Sequence, residues 1–455
     1  MRAREFFLLL LLLALGLTYS LYEKGELDLY LDLDGWSIFA FHQYEFEEET
    51  TITPPLPELM AIGNSHGEIQ IVGTEEDNIR LRLTKIIPAP NEEKAFEIAQ
   101  KLHSVINKRG GEVEGEEGGG RGELLISTNR DDLSRRSIRT NFLIFVPHHL
   151  RLDIKNSYGQ VKITNVAEVT LQNSHGQVAV EDIKGKVKIS NSYADVRAEN
   201  IGEDLIVNSK HSEIEIKNAN QTVLVNHSYG EVDLTDIRGP VTVEAHHCEV
   251  KAANIEGVCQ IESSYRPIII SQGNGATISS RNSAIKIMQS QGPIEVNNSY
   301  GRLKIVDAQG DIKIKGKNLK VSIQDSKIEN LYLSTSYRQV DLRNCEFSHQ
   351  VELVTAHNSV SIAPAKILGP FKISGKYSQV TFSWPENLKV PLRINNKGGK
   401  IIWELPSQPH SFISNGTSRL EAFLEEEAPG KVEINTSYGT VVISPPSGDQ
   451  KDFLP

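Results

Sequence analysis

The chain is poor in the residues that announce most compact chemistries. Three cysteines, Cys248, Cys259 and Cys345, are scattered through 455 residues. An odd, sparse set neither staples a disulfide framework nor fills a four-ligand zinc site by itself. Basic residues are in deficit, 48 Lys and Arg against 59 Asp and Glu for a formal charge of −11. A nucleic-acid binder needs the opposite balance to neutralise phosphates, so no nucleic-acid partner is expected. Aromatics make up only 7% of the chain, so its core must be mostly aliphatic. There is no glycine-rich phosphate loop, HExxH pair or GxSxG elbow, and no cofactor is expected. Beyond residue 20 no long apolar run occurs, so nothing later is expected to cross a membrane as a helix.

The one long apolar run is at the N-terminus. Arg2 and Arg4 precede Phe6 to Leu17, and Thr18-Tyr19-Ser20 puts small residues at −3 and −1 of a cleavage after Ser20. That is the layout of a secretory signal. An uncleaved anchor is the alternative, although the run is shorter than the roughly 20 residues of a span. No cysteine follows it, which excludes lipoprotein attachment. The protein is expected to be exported: periplasmic, secreted, or held in the cell envelope by this segment, its only membrane contact.

The rest of the chain is organised by self-similarity. Asn156-Ser157-Tyr158-Gly159 recurs as Asn173-Ser174-His175-Gly176 and Asn191-Ser192-Tyr193-Ala194, and again at Tyr229-Gly230, Tyr300-Gly301 and Tyr438-Gly439. With the Tyr as zero, sixteen zero positions follow at 158, 175, 193, 211, 229, 247, 265, 282, 300, 316, 337, 357, 377, 398, 417 and 438. Three residues after zero every coil has an aliphatic residue, from Val161, Val178, Val196 and Ile214 to Val441. Apolar columns also stand at +5, −4 and −6. Spacing by two is strand alternation with one face inward. Each unit is therefore two short strands and two turns. Such a unit buries its apolar face only by stacking, each strand pairing in parallel with the next. This predicts an all-β fold, a parallel β-solenoid of about 16 coils over 151–443, roughly 75 Å long at one strand spacing per coil. Gly and Asn at the turn suit a sharp corner of positive φ, and stacked Asn side chains can form amide ladders.

Before the repeats, residues 21–57 read as an acidic linker ending in a proline-rich stretch. Residues 58–150 read as a small α+β cap, with Asn64-Ser65-His66-Gly67 as a separated first copy of the repeat. A helix is expected over 92–108, from Ala95, Phe96, Ile98, Ala99, Leu102, Val105 and Ile106 at helical spacing, with Asn91 opening it. Residues 444–455 are left as a tail.

Three groups of residues invite a chemical reading. The zero column runs Tyr158, His175, Tyr193, His211, Tyr229, His247, Tyr265. Its histidines lie two coils apart, about 9.6 Å, too far to share a metal, so the column is read as a stacked structural ladder at a corner. His246, His247 and Cys248 resemble soft-metal ligands but share one turn and point differently. Asp195, Glu213, Glu231 and Glu249, each two after zero, predict four carboxylates in line about 4.8 Å apart. That stripe suits a calcium site, an acid/base pair near the spacing of a retaining glycosidase, or a solvated face with Arg197 and Lys251 beside it. Cys259 and Cys345 are expected as small core residues.

The Asn-Ser-Tyr/His-Gly-x-Val-x-Ile turn and strand, recurring behind a signal sequence, resembles the bacterial putative-adhesin β-strand-repeat family. The resemblance covers about residues 60–443 and includes the Asn141 to Pro147 unit and the final Asn435-Thr436-Ser437-Tyr438-Gly439 coil. It implies a right-handed β-helix, an exported adhesin-like role, and no catalytic residues. Three functions are weighed: a non-enzymatic exported binding rod or envelope scaffold, whose partner is an envelope polysaccharide or protein; a polysaccharide-acting β-helix enzyme using the carboxylate stripe; and a scaffold that polymerises end to end.

Overall fold

The computed structural model describes residues 28–32, 37–109, 122–133, 137–414, 416–424 and 430–446. The segment 1–20 and the tail beyond 446 lie outside the described residues. The chain forms a parallel β-solenoid of about 13 turns, where sixteen coils were expected. It divides into two units, residues 1–194 and 195–455, and the division falls inside the run of repeats.

Within each unit the expected columns superpose. Val161 pairs with Val178 and Ile163 with Val180 in the first unit. Val196, Ile214, Val232 and Val250 stand above one another in the second. These side chains are at most 1% exposed. Each such aliphatic residue, once fully buried, contributes about 1.5–3 kcal/mol. Cys259 takes its place in the core between Val241 and Ala276. Burial pushes its thiol up to about 12 and that of Cys345 to about 11.

Two zero positions are corrected. Leu303 pairs with Val321, not Leu319, so the corner residue of that coil is Asn318 rather than Gly316. Thr417–Ala422 runs antiparallel to Leu392–Lys397 and to His410–Ser414; the apolar Leu420 mimics the repeat but belongs to a hairpin.

Chain order and stacking order part company in two places. In the first unit, Leu59–His66 pairs with both Glu123–Thr128 and Arg151–Tyr158. The coil read as a separated copy is thus held between two later ones. In the second unit, Lys431–Ser437 pairs with Pro370–Lys376 on one side and Leu392–Lys397 on the other, so the last coil is inserted between two earlier ones. In both places antiparallel strands cover the outer edge. Ser104–Arg109 lies on Glu123–Thr128 and Ile79–Ala89 on Arg139–Pro147; Thr417–Ala422 lies on Leu392–Lys397. An uncovered edge would template further strand addition.

The N-terminal region differs from its expected layout. Where a linker was expected, Ser37–Ile52 is a strand, paired with Asp28–Asp32 over Ser37 to Phe41 and with Ile79–Ala89 over His42 to Ile52. The helix runs only from Glu92 to Lys101, with the Lys94 amide donating to the Asn91 side chain at 3.0 Å. Val105 and Ile106, β-branched and suited to strands, lie instead in Ser104–Arg109.

Candidate functional site

The repeated corner is built by close backbone approach. At Gly159, Gly176 and Gly230 a Cβ would stand 2.0, 2.0 and 1.8 Å from a carbonyl oxygen of the neighbouring coil, so no larger residue fits. The Asn two before zero ties the corner down. The Asn173 amide donates to Gly176 O at 2.9 Å and Gly159 O at 3.2 Å, and Asn191 does the same for Ala194 and Gly176. This corrects the expected amide ladder here: these side chains bridge to carbonyls, not to one another. Side-chain ladders occur elsewhere, at the opposite turn seven after zero. There Asn218 donates to Asn200 at 2.6 Å and Asn344 to Asp325 at 2.7 Å. Asn165, Asp182, Asp236, Asn254, Gln272 and Gln289 continue that column at positive φ. Aligning column +7 would have found it in the sequence.

From Tyr193 onward the zero residue itself is left-handed, with φ of 64° at Tyr193, 54° at His211 and 64° at Tyr229. Such a backbone costs about 1–3 kcal/mol per non-glycine residue. Ring stacking, about 0.5–1.5 kcal/mol per pair, offsets it. In the first unit His66, Tyr158, His175 and Tyr193 stack at 4.6, 4.7 and 5.0 Å. In the second, His211, Tyr229, His247 and Tyr265 stack at 5.0, 5.2 and 5.0 Å, with their ring planes 2–5° from parallel. Tyr337, His357, Tyr377 and Tyr438 form another stack at 5.0, 4.9 and 5.3 Å. The eight tyrosines of this column are 47–61% exposed, so a repeated edge of phenols faces solvent.

His246, His247 and Cys248 do not converge. The Cys248 thiol points inward, donating to His246 O at 3.2 Å, and burial raises its pKa. His247 is engaged between Tyr229 and Tyr265. Among the described residues no group of three or more His, Cys, Asp or Glu is arranged to hold a metal ion.

The carboxylate stripe is in register: Glu213 pairs with Glu231 and Glu231 with Glu249. Asp195 accepts the Glu213 amide at 3.0 Å. Lys251 reaches Glu231 at 2.5 Å and Glu249 at 3.4 Å. In the next column Lys217 and Arg197 both bond Glu215 and hold its carboxyl below the usual range. The recess over Asp195, Glu213, Glu231 and Asp233 is about 150 Å³. A larger cleft of about 810 Å³ lies at the opposite turn, lined with amides and carboxylates that include Glu256, Gln272, Asn274, Gln289 and Gln309.

No family model and no curated protein matches the chain. Among solved structures it is similar to a putative cell adhesion protein from Clostridium sporogenes, at 10% identity over 89% of this chain and 100% of that one, with a TM-score of 0.21. At that identity and score the likeness supports no inference about function.

Proposed function

We propose that this protein is an exported, non-enzymatic β-solenoid that works by binding, as an adhesin-like or envelope component recognising an envelope polysaccharide or protein. The observation that carries this reading is the column of half-exposed tyrosines at the repeated corner. Tyrosine presents a rigid apolar ring with a polar tip, which suits recognition of carbohydrate or protein at an exposed surface. Export rests on the basic, apolar and small-residue pattern of residues 1–20. Antiparallel strands lie over Glu123–Thr128, Arg139–Pro147 and Leu392–Lys397, which counts against end-to-end strand addition at those edges.

The test is a glycan and envelope-fraction array probed with the mature protein, alongside an assay for shortened chains. Saturable binding without chain shortening is expected. Polysaccharide cleavage that disappears in Glu231→Gln would replace this reading with an enzyme working at the carboxylate stripe.

A further inference from the structure

Resting on the binding reading above, we propose that Tyr265, Tyr300 and Tyr337 form a binding site for an acidic polysaccharide. One pyranose ring is held between successive tyrosines, and its carboxylate or sulfate groups are met by the arginines and lysines on either side.

The ring column is broken here and nowhere else between His211 and Tyr377. After Tyr265 the corner residues are Asn282, Tyr300, Asn318 and Tyr337. The corner itself continues without a break. The amide of Tyr265 donates to Arg281 O, that of Asn282 to Ser299 O, that of Tyr300 to Lys317 O and that of Asn318 to Ser336 O, all at 2.8–2.9 Å. Asn282 and Asn318 keep the left-handed backbone, φ 61° and 53°, which Asn tolerates better than most residues. Coil spacing is therefore preserved and only the ring is missing. Among the described residues Tyr300 stacks on no other ring, Tyr265 on His247 alone and Tyr337 on His357 alone. Elsewhere an inner rung has both faces occupied and offers only its edge.

The width of the gap selects the occupant. Tyr265 to Tyr300, and Tyr300 to Tyr337, are each two strand spacings, about 9.6 Å. Carbon contacts on two faces take up about 7–8 Å. A flat base would leave some 2 Å empty, whereas a puckered sugar chair, presenting C–H bonds to both rings, fills it. The shorter Asn side chain leaves the outer part of each gap open and supplies a polar floor for a hydroxyl.

Charge gives the second, independent observation. Between residues 265 and 340 there are eleven Lys and Arg against five Asp and Glu, in a chain of net charge −11. Arg281 precedes the first gap, with Arg266 and Arg302 beyond it; Lys317 precedes the second, with Lys320 and Arg338 beyond it. All six are exposed. Among the described residues none of them is ion-paired; the pair in this stretch is Lys313 with Glu295. Equatorial glycosidic bonds lie near the plane of a chair, so a chain seated in a gap leaves sideways over cations on both flanks.

The test measures binding of carboxymethylcellulose, cellulose sulfate, neutral hydroxyethylcellulose and poly(dT) to the full chain; the three glucans have equatorial glycosidic bonds. The wild type is expected to bind the two acidic polymers in a salt-sensitive way and to leave hydroxyethylcellulose unbound. Tyr300→Asn removes the wall shared by both gaps while using the residue that neighbouring coils place at this corner; affinity should fall at least tenfold. Asn282→Tyr combined with Asn318→Tyr completes the ladder without touching a cation, and should cost as much. Circular dichroism and thermal unfolding establish that each variant is folded. Unchanged acidic-polymer affinity in the completed-ladder variant overturns the site, because charge alone would then suffice. Tighter binding of poly(dT) than of carboxymethylcellulose overturns it in favour of a nucleic acid. Binding confined to neutral glycans overturns this site yet leaves the binding reading standing, and failure to bind any glycan or envelope fraction removes both.

Discussion

Residues 195–264 carry thirteen acidic and five basic side chains, and residues 265–340 carry five and eleven. Both stretches belong to one unit and are built on the same buried columns: Val232 and Leu234 in the first occupy the places of Leu303 and Ile305 in the second. Their corners diverge with their charge. The acidic coils have an unbroken stack from His211 to Tyr265 and cations already committed to carboxylates, as Lys251 is to Glu231. The basic coils have a broken stack and uncommitted arginines. A solenoid separates these properties because the inward columns set the stacking, so most outward positions are free to vary coil by coil.

The largest contrast is expected at the residue after the corner. Gly230→Ala puts a methyl 1.8 Å from Ser212 O, and loss of about 4 kcal/mol or more, or failure to fold, is predicted by denaturant unfolding. Arg266→Ala at the same place in the basic coils should change stability by less than about 0.5 kcal/mol. The core should not share in the difference. Leu234→Ala and Ile305→Ala, both 0% exposed, should each cost about 2–5 kcal/mol; a clear inequality would mean that the columns are not equivalent. The ladder comes next. Tyr229→Asn gives up two stacked neighbours and should lose about 1–3 kcal/mol, whereas Tyr300→Asn should stay within about 0.5 kcal/mol.

Near neutral pH an effect is expected on the acidic side, since residues 265–340 contain no histidine. His227, 3% exposed, has its pKa lowered by burial, against hydrogen bonds to Ser209 and Ser212. The unfolded chain takes up a proton near pH 6.5 that the folded ring refuses. Stability should therefore be flat above that pH and fall as pH drops below it. His227→Asn, the residue found at this corner position in Asn191 and Asn298, should flatten part of that slope. The smallest effect is expected from Lys251→Met, which leaves Glu231 and Glu249 unbridged: a loss of stability at low ionic strength that disappears in high salt.

The buried half of this molecule could be read from residues because burial imposes a period. Val178, Val196 and Ile214 obey one spacing, and the coils follow. Errors arose where an apolar residue satisfied the spacing for another reason. Leu319 is buried, but one position-pair away from its assumed column; Leu420 is buried by a hairpin. The insertion of Lys431–Ser437 between two earlier strands was not legible, since every coil presents the same apolar teeth and sequence order carries no record of which neighbour it meets. At the corner, stacking of Tyr and His was foreseen from their recurrence. Zero already stood on Asn282, but placing the later one at Gly316 hid the second break at Asn318, and summing charge over the whole chain hid the basic stretch. The +7 column was legible but went unaligned, because turn residues are polar on any surface and invite no comparison.

Hydrogen–deuterium exchange with and without carboxymethylcellulose tests the division of labour most directly. Ligand should slow exchange in peptides spanning Arg281-Asn282 and Lys317-Asn318 and leave those spanning Glu213 to Asp233 unchanged. Protection centred on the acidic coils, or spread evenly over both stretches, would contradict the account.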